Sequence, residues 1–158
     1  MKLLFIVGMF FASLLQAEMF EKGNIGLGVV IGTGSIGHEN YTIAGANVDY
    51  FIVDDFSLGL AYTGWFGGTP SLDQITARGT YFIPLDPQFR PYIGGFVREN
   101  IIESHSNFIS YGGRAGLAFV LSRRAYLGLG YIYEAYGSQS IFVDSSNAYP
   151  EFIFAFSF

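Results

Sequence analysis

From Gly23 to Phe158 the chain alternates apolar residues with small or polar ones, in segments separated by turn signals. A repeat of two puts successive side chains on opposite faces of a strand, whereas a helix repeats every 3.6 residues. Eight strands are predicted, over 23–32, 41–52, 56–66, 74–83, 91–97, 107–122, 125–136 and 148–158. In the first, Ile25, Leu27, Val29 and Ile31 alternate with Gly26, Gly28, Val30 and Gly32. In the last, Phe152, Phe154, Phe156 and Phe158 alternate with Ile153, Ala155 and Ser157. Three connections are compact: VDDF at 53–56, PLDPQFRP at 84–91, whose prolines block further ladder pairing, and SRR at 122–124. The connections near 33–40, 67–74, 98–107 and 137–147 read as longer polar loops.

The two faces of these segments decide which side is inside. One face is almost purely Leu, Ile, Phe, Tyr, Ala and Val; the other carries glycines, Ser, Thr and a few charges. A soluble sheet turns its apolar face to a core and its polar face to water. Eight strands closed into a ring enclose an interior only wide enough for side chains. The small, polar face therefore belongs inside, and the large apolar face meets lipid. A lipocalin-like barrel or a two-sheet sandwich would need a polar outer face, which the alternation does not supply. Composition agrees: 51% of residues are hydrophobic and 13% charged, against roughly 25% charged in soluble domains. The predicted fold is an all-β, eight-stranded antiparallel up-and-down transmembrane β-barrel. Its strands are long enough to cross a bilayer at a tilt, and its alternating connections match periplasmic turns and external loops.

The N-terminus, MKLLFIVGMFFASLLQA, has a basic start at Lys2, an apolar run from Leu3 to Leu15 and a small residue, Ala17. This pattern predicts a secretory signal peptide over 1–17 and a barrel domain over 18–158. The run is short for a membrane-anchoring helix. The chain has no cysteine, so no disulfide staples it. Loss of Lys2 with the signal takes eight basic residues to seven against thirteen acidic ones, a net charge of −6. Such a balance argues against a nucleic-acid partner.

A C-terminal strand with alternating aromatics and a terminal phenylalanine is similar to the assembly signal of bacterial outer-membrane proteins. The segments VDYFIVDDFSLGL and TYFIPLDPQFRPYIGG resemble strand–turn–strand units of small OmpA/OmpX-type barrels. The resemblance spans the whole of 18–158. It implies a bacterial outer-membrane location and a monomer surrounded by outer-membrane lipid and lipopolysaccharide. It also implies that the barrel-assembly machinery reads Phe152, Phe154, Phe156 and Phe158. No periplasmic domain follows the last strand, so peptidoglycan anchoring of the OmpA kind is not expected.

Four motifs bear on chemistry. GTGSIG at 32–37 is a literal G-x-G-x-x-G with Asp54 and Asp55 downstream. A dinucleotide site requires that motif to open a helix, and HENYTIAGANVDY has strand alternation instead, so a glycine-rich hairpin loop is expected and no cofactor. Arg78, Arg114, Glu134 and Glu151 fall on inward faces, with Glu99 near the rim and Asn47 and Asp49 lower down. Unpaired in a narrow lumen, such charges carry a heavy desolvation cost, so the four are expected to pair into a lumen charge network that plugs the barrel. ESHSN at 103–107 does not meet the His-x-Ser-Asn pattern of outer-membrane lipid A deacylases. Here His105 and Ser106 are adjacent and point to opposite faces of a strand, as do Ser104 and His105, so no catalytic residue is assigned. His38 and His105 lie in separate loops, which makes no metal site. Arg123 and Arg124 are expected to contact lipid headgroups or cap a turn. The expected role is structural or interactive: a closed barrel displaying loops, not an enzyme. A narrow porin or ion channel is the alternative, and a lipid A-modifying hydrolase is the weaker one.

Overall fold

The computed structural model describes residues 18–36, 38–103, 106–137 and 146–158; the predicted signal peptide, 1–17, lies outside the described residues. Eight strands run in sequence: β1 (Ile25–Ile36), β2 (Glu39–Val53), β3 (Phe56–Phe66), β4 (Leu72–Phe82), β5 (Phe89–Ile102), β6 (Phe108–Ser122), β7 (Ala125–Tyr136) and β8 (Ser146–Ser157). Each pairs antiparallel with its sequence neighbours, and β8 pairs with β1 to close the barrel. Closure gives every strand a paired neighbour on both sides, as lipid requires.

Outward positions are those the alternation assigns to lipid. Ile31, Leu60, Ile93, Val97 and Tyr131 are all more than half exposed, as expected for an apolar band flanked by aromatics. Phe152, Phe154, Phe156 and Phe158 all face out, and the backbone N–H of Phe158 donates to the carbonyl of Ile25 at 3.1 Å.

Several strands run further than predicted, so the loops are shorter. β5 continues through Arg98–Ile102, and Pro91 lies inside it, its carbonyl accepting from Ile83 N–H. The connections on one end are 37–38, 67–71, 103–107 and 137–145; those on the other are 54–55, 83–88 and 123–124. Of GTGSIG, Gly32–Ile36 is not a loop but the end of β1, paired with Glu39–Ile43 of β2; Gly37 lies outside the described residues. Asp55 adopts φ = 62° in the β2–β3 turn, a left-handed conformation that aspartate tolerates better than most residues.

The closing seam is the shortest ladder. β1 pairs with β2 over Ile25–Ile36 but with β8 only over Gly26–Gly32. The pairing stops where the outward residues of β1 change from Ile31 to Thr33 and Ser35. The unpaired stretch thus begins at the edge of the apolar band, where water can satisfy backbone groups. Asn147 Nδ2 bridges part of the gap, donating to the carbonyl of Ser35 at 3.2 Å.

Candidate functional site

The lumen holds three buried ion pairs at successive heights, and the register explains each. Asp49 on β2 lies opposite Gly59 on β3, and Gly59 lies opposite Arg78 on β4. With no side chain between them, Arg78 reaches across: Nη2 is 2.6 Å from Asp49 Oδ2, and Nε donates to Oδ1 at 3.0 Å. A Cβ on Gly59 would fall 2.0 Å from Asp49 Oδ1, so glycine is a condition of this pair. Asn47 Nδ2 also donates to Asp49.

A second row runs Tyr92, Gly116, Gly130, Glu151 across β5 to β8. Tyr92 lies along the two glycines and its hydroxyl donates to Glu151 Oε1 at 3.2 Å; a Cβ on Gly130 would meet that hydroxyl at 2.1 Å. Arg114 Nη2 sits 2.9 Å from the same carboxylate oxygen, and its guanidinium lies 5.1 Å from the Tyr92 ring centroid.

The third cluster, toward the long-loop end, centres on Glu134, whose side chain is fully buried. Its Oε2 accepts from Arg98 Nη1 at 2.8 Å and from the Tyr149 hydroxyl at 2.9 Å, while Oε1 accepts from Ser110 Oγ. Arg98 Nε donates to Thr76 Oγ1 at 2.8 Å, and Arg98 also donates to the Tyr149 hydroxyl. The chain continues as Asn100 donates to Ser110, Gln74 donates to Asn100, and Trp65 Nε1 donates to Gln74 Oε1 at 2.8 Å. One hydrogen-bonded network thus ties β3 through β8 together.

All four sequence-predicted lumen charges are buried inside, but they do not pair only among themselves. Arg114 takes Glu151, whereas Arg78 takes Asp49 and Glu134 takes Arg98. Arg98 falls in a stretch whose polarity predicts a loop; β5 instead carries it inward. Glu99 points out rather than to an inner rim, where its Oε1 accepts from Asn107 Nδ2 at 3.2 Å. The signal for Arg98 was present: Phe96, Arg98, Asn100 and Ile102 continue the inward set, and the outward Glu99 masked it. The interior is also less small than the glycine-rich inner faces imply, since Trp65, Phe51, Phe82, Tyr126 and Tyr149 point in.

The opposite end is closed differently. Met19 and Phe20 are 2% and 5% exposed, tucked under the barrel mouth. The Phe20 ring packs on Phe51, Phe82 and Tyr126 at centroid distances of 5.9, 4.8 and 5.6 Å. Arg90, ion-paired with Asp55, lies 4.4 Å over the same ring. Burial raises the pKa of Asp55 above its ordinary 3.8 despite the Arg90 cation, and Asp54 adds to the rise. Arg123 and Arg124 lie in the β6–β7 turn, where their carbonyls accept from Met19 and Ser157 N–H at 2.9 and 2.8 Å. His38 lies in the β1–β2 connection and Ser106 is exposed in the β5–β6 connection; Ser104 and His105 lie outside the described residues. Within the lumen, Ser110 Oγ donates directly to the Glu134 carboxylate.

No protein-family profile matches the chain, and no curated protein does. Solved structures do. The N-terminal β-barrel domain of Pseudomonas aeruginosa OprF aligns with a TM-score of 0.68 at 16% identity, over 87% of this chain and 98% of that one. Neisserial surface protein A aligns at 0.69 and 15% identity, over 85% and 96%. Ail, the attachment invasion locus protein of Yersinia pestis, aligns at 0.51 and 13% identity, over 87% and 99%. The chain has the fold of small outer-membrane eight-stranded barrels, as its resemblance to OmpA/OmpX-type barrels implied.

Proposed function

We propose that this chain is a monomeric bacterial outer-membrane barrel with a lumen closed to ions, serving as a structural or interaction protein that presents its loops. The observation that carries the reading is the stack of three buried arginine–carboxylate pairs, Arg78–Asp49, Arg114–Glu151 and Arg98–Glu134. Every guanidinium is matched by a carboxylate on another strand, which fills the axis and leaves between the layers a gap of about 30 Å³, room for about one water. An outer-membrane location is supported by the apolar outer band and by the fold. Outer-membrane lipid and lipopolysaccharide are its surroundings, and the outward row Phe152, Phe154, Phe156 and Phe158 is the strand that the assembly machinery would read.

Single-channel conductance of the protein in planar bilayers, with Arg114→Ala beside it, tests the closure. The expected result is a silent wild type and a leaking variant, since the substitution removes the cation that neutralises Glu151. Steady ion-selective conductance from the wild type would replace this reading with a narrow channel in which the same charges form the filter.

A further inference from the structure

Residues 18–24 precede the first strand, and they are fastened to two of the three turns at that end and to the strand that follows the third. Met19 N–H donates to the Arg123 carbonyl of the β6–β7 turn at 2.9 Å. The Phe20 carbonyl accepts from Asp55 N–H of the β2–β3 turn at 2.8 Å, and Lys22 N–H donates to Asp54 Oδ1 at 2.8 Å. Arg90, at the start of β5 beyond the third turn, covers the Phe20 ring. The segment also pairs with the end of β2: Gly23 N–H donates to the Phe51 carbonyl, and Phe51 N–H donates to the Asn24 carbonyl.

Above the segment lies a small chamber, lined by Met19, Asp49, Ser57, Arg78, Thr80 and Tyr126 among others. Its roof is the Arg78–Asp49 and Arg114–Glu151 layers. The hydroxyls of Ser57 and Thr80 are buried there without a hydrogen-bond partner. Below the segment is an open hollow of about 380 Å³ with Glu18, Glu21, Asp54, Asp55, Arg90 and Arg123 on its walls. A two-residue apolar plug thus separates a small chamber, walled largely by aromatic and apolar side chains under the ion-pair layers, from a charged, open vestibule.

We infer that residues 18–24 form a removable seal on the short-turn end of the barrel, independent of the ion-pair layers, and that this seal alone controls access from that side to the chamber around Ser57, Asp49 and Arg78. The segment is held by hydrogen bonds to two turns and the end of β2 and by the burial of Met19 and Phe20, whereas the ion pairs are built from strands that cannot move apart without breaking the ladder. Elements with few buried contacts open locally at lower free energy than strand ladders. When the segment leaves, the chamber becomes a blind pocket open to one compartment and closed above by the Arg78–Asp49 and Arg114–Glu151 layers. The inference goes beyond the closed-lumen reading, which concerns those upper layers.

The chain has no cysteine, so one introduced thiol reports alone. Ser57→Cys places it in the chamber at a side chain that makes no hydrogen bond; Ser122→Cys, at the exposed end of β6, is the control for reagent access. The full chain is expressed for export, purified from the membrane and treated with a small water-soluble methanethiosulfonate. Ser57→Cys should react slowly in the otherwise native chain. Adding Met19→Ser and Phe20→Ser should accelerate it by at least about tenfold, because removing a buried aromatic side chain shifts a local opening equilibrium by at least that factor, with Ser122→Cys unchanged. Should the double replacement not assemble, Phe20→Ala alone carries the same expectation. Fast reaction with the segment intact, or equal slow reaction once its side chains are removed, overturns the seal. Fast labelling beside a silent conductance trace removes the seal and leaves the ion-pair closure standing; a conducting wild type removes that closure.

Discussion

The two ends of the lumen are shut by different forces. Toward the long loops, closure depends on direction: Glu134 accepts from three side chains on three strands, and each donor is fixed by the network behind it. Toward the short turns, closure depends on area: Met19 and Phe20 fill a nest of Phe51, Phe82 and Tyr126 rings. A buried polar network is worth most when every member is satisfied and fails abruptly when one is removed. An apolar plug loses stability in proportion to what is cut away, and its host segment can detach without opening the wall. The polar end is therefore expected to be the rigid one and the apolar end the one that opens.

The largest blow to that contrast is Glu134→Ala. It strands Arg98 in a fully buried site and removes the acceptor for Ser110 and Tyr149, a loss expected at about 3–5 kcal/mol in urea unfolding of the barrel. A change below about 1 kcal/mol would mean the network is no keystone. Phe20→Ala comes next, at about 2 kcal/mol, less than a core phenylalanine because the segment can leave while the ladder persists. Combined with Glu134→Ala its cost should add within about 0.5 kcal/mol; strong coupling would show that the two ends form one closure. The smallest effect belongs to Asp55→Asn. Asparagine keeps the left-handed turn position, and the Asp55 pKa is raised in the fold above its ordinary 3.8, so ionising it already disfavours the folded state. The wild type should gain stability as pH falls from neutral through that raised pKa, and the gain should level off below about 3.8. Asp55→Asn should lack this gain and stay within about 0.5 kcal/mol of wild type at neutral pH. A large loss at neutral pH would mean that the Arg90–Asp55 pair holds the seal.

Much of the wall was legible in the sequence. Side-chain direction in a strand is set by the pleat, which repeats every two residues whatever the neighbours do, so Arg78, Arg114, Glu134 and Glu151 could be placed inside before any partner was known. Strand ends were less legible. Arg98 and Asn100 obey the alternation, yet the run RENIIE is polar enough to look like a loop, because the outward Glu99 lies beyond the apolar band where lipid no longer demands apolar residues.

By itself, the sequence determined the strand count, the inside-out arrangement and the lipid-facing aromatic row ending at Phe158. These depend only on local alternation and on one face of every segment being almost purely apolar. The tertiary structure decided which charges meet. Arg78 finds Asp49 only because register puts Gly59 between them, and Tyr92 reaches Glu151 only because Gly116 and Gly130 fall in one row. Register is a relation between strands, fixed when the ring closes. The fate of Met19 and Phe20 was decided there too. Two apolar residues at the head of a polar segment carry no periodicity to read, and their place exists only once three turns and the inward rings of several strands have assembled around it.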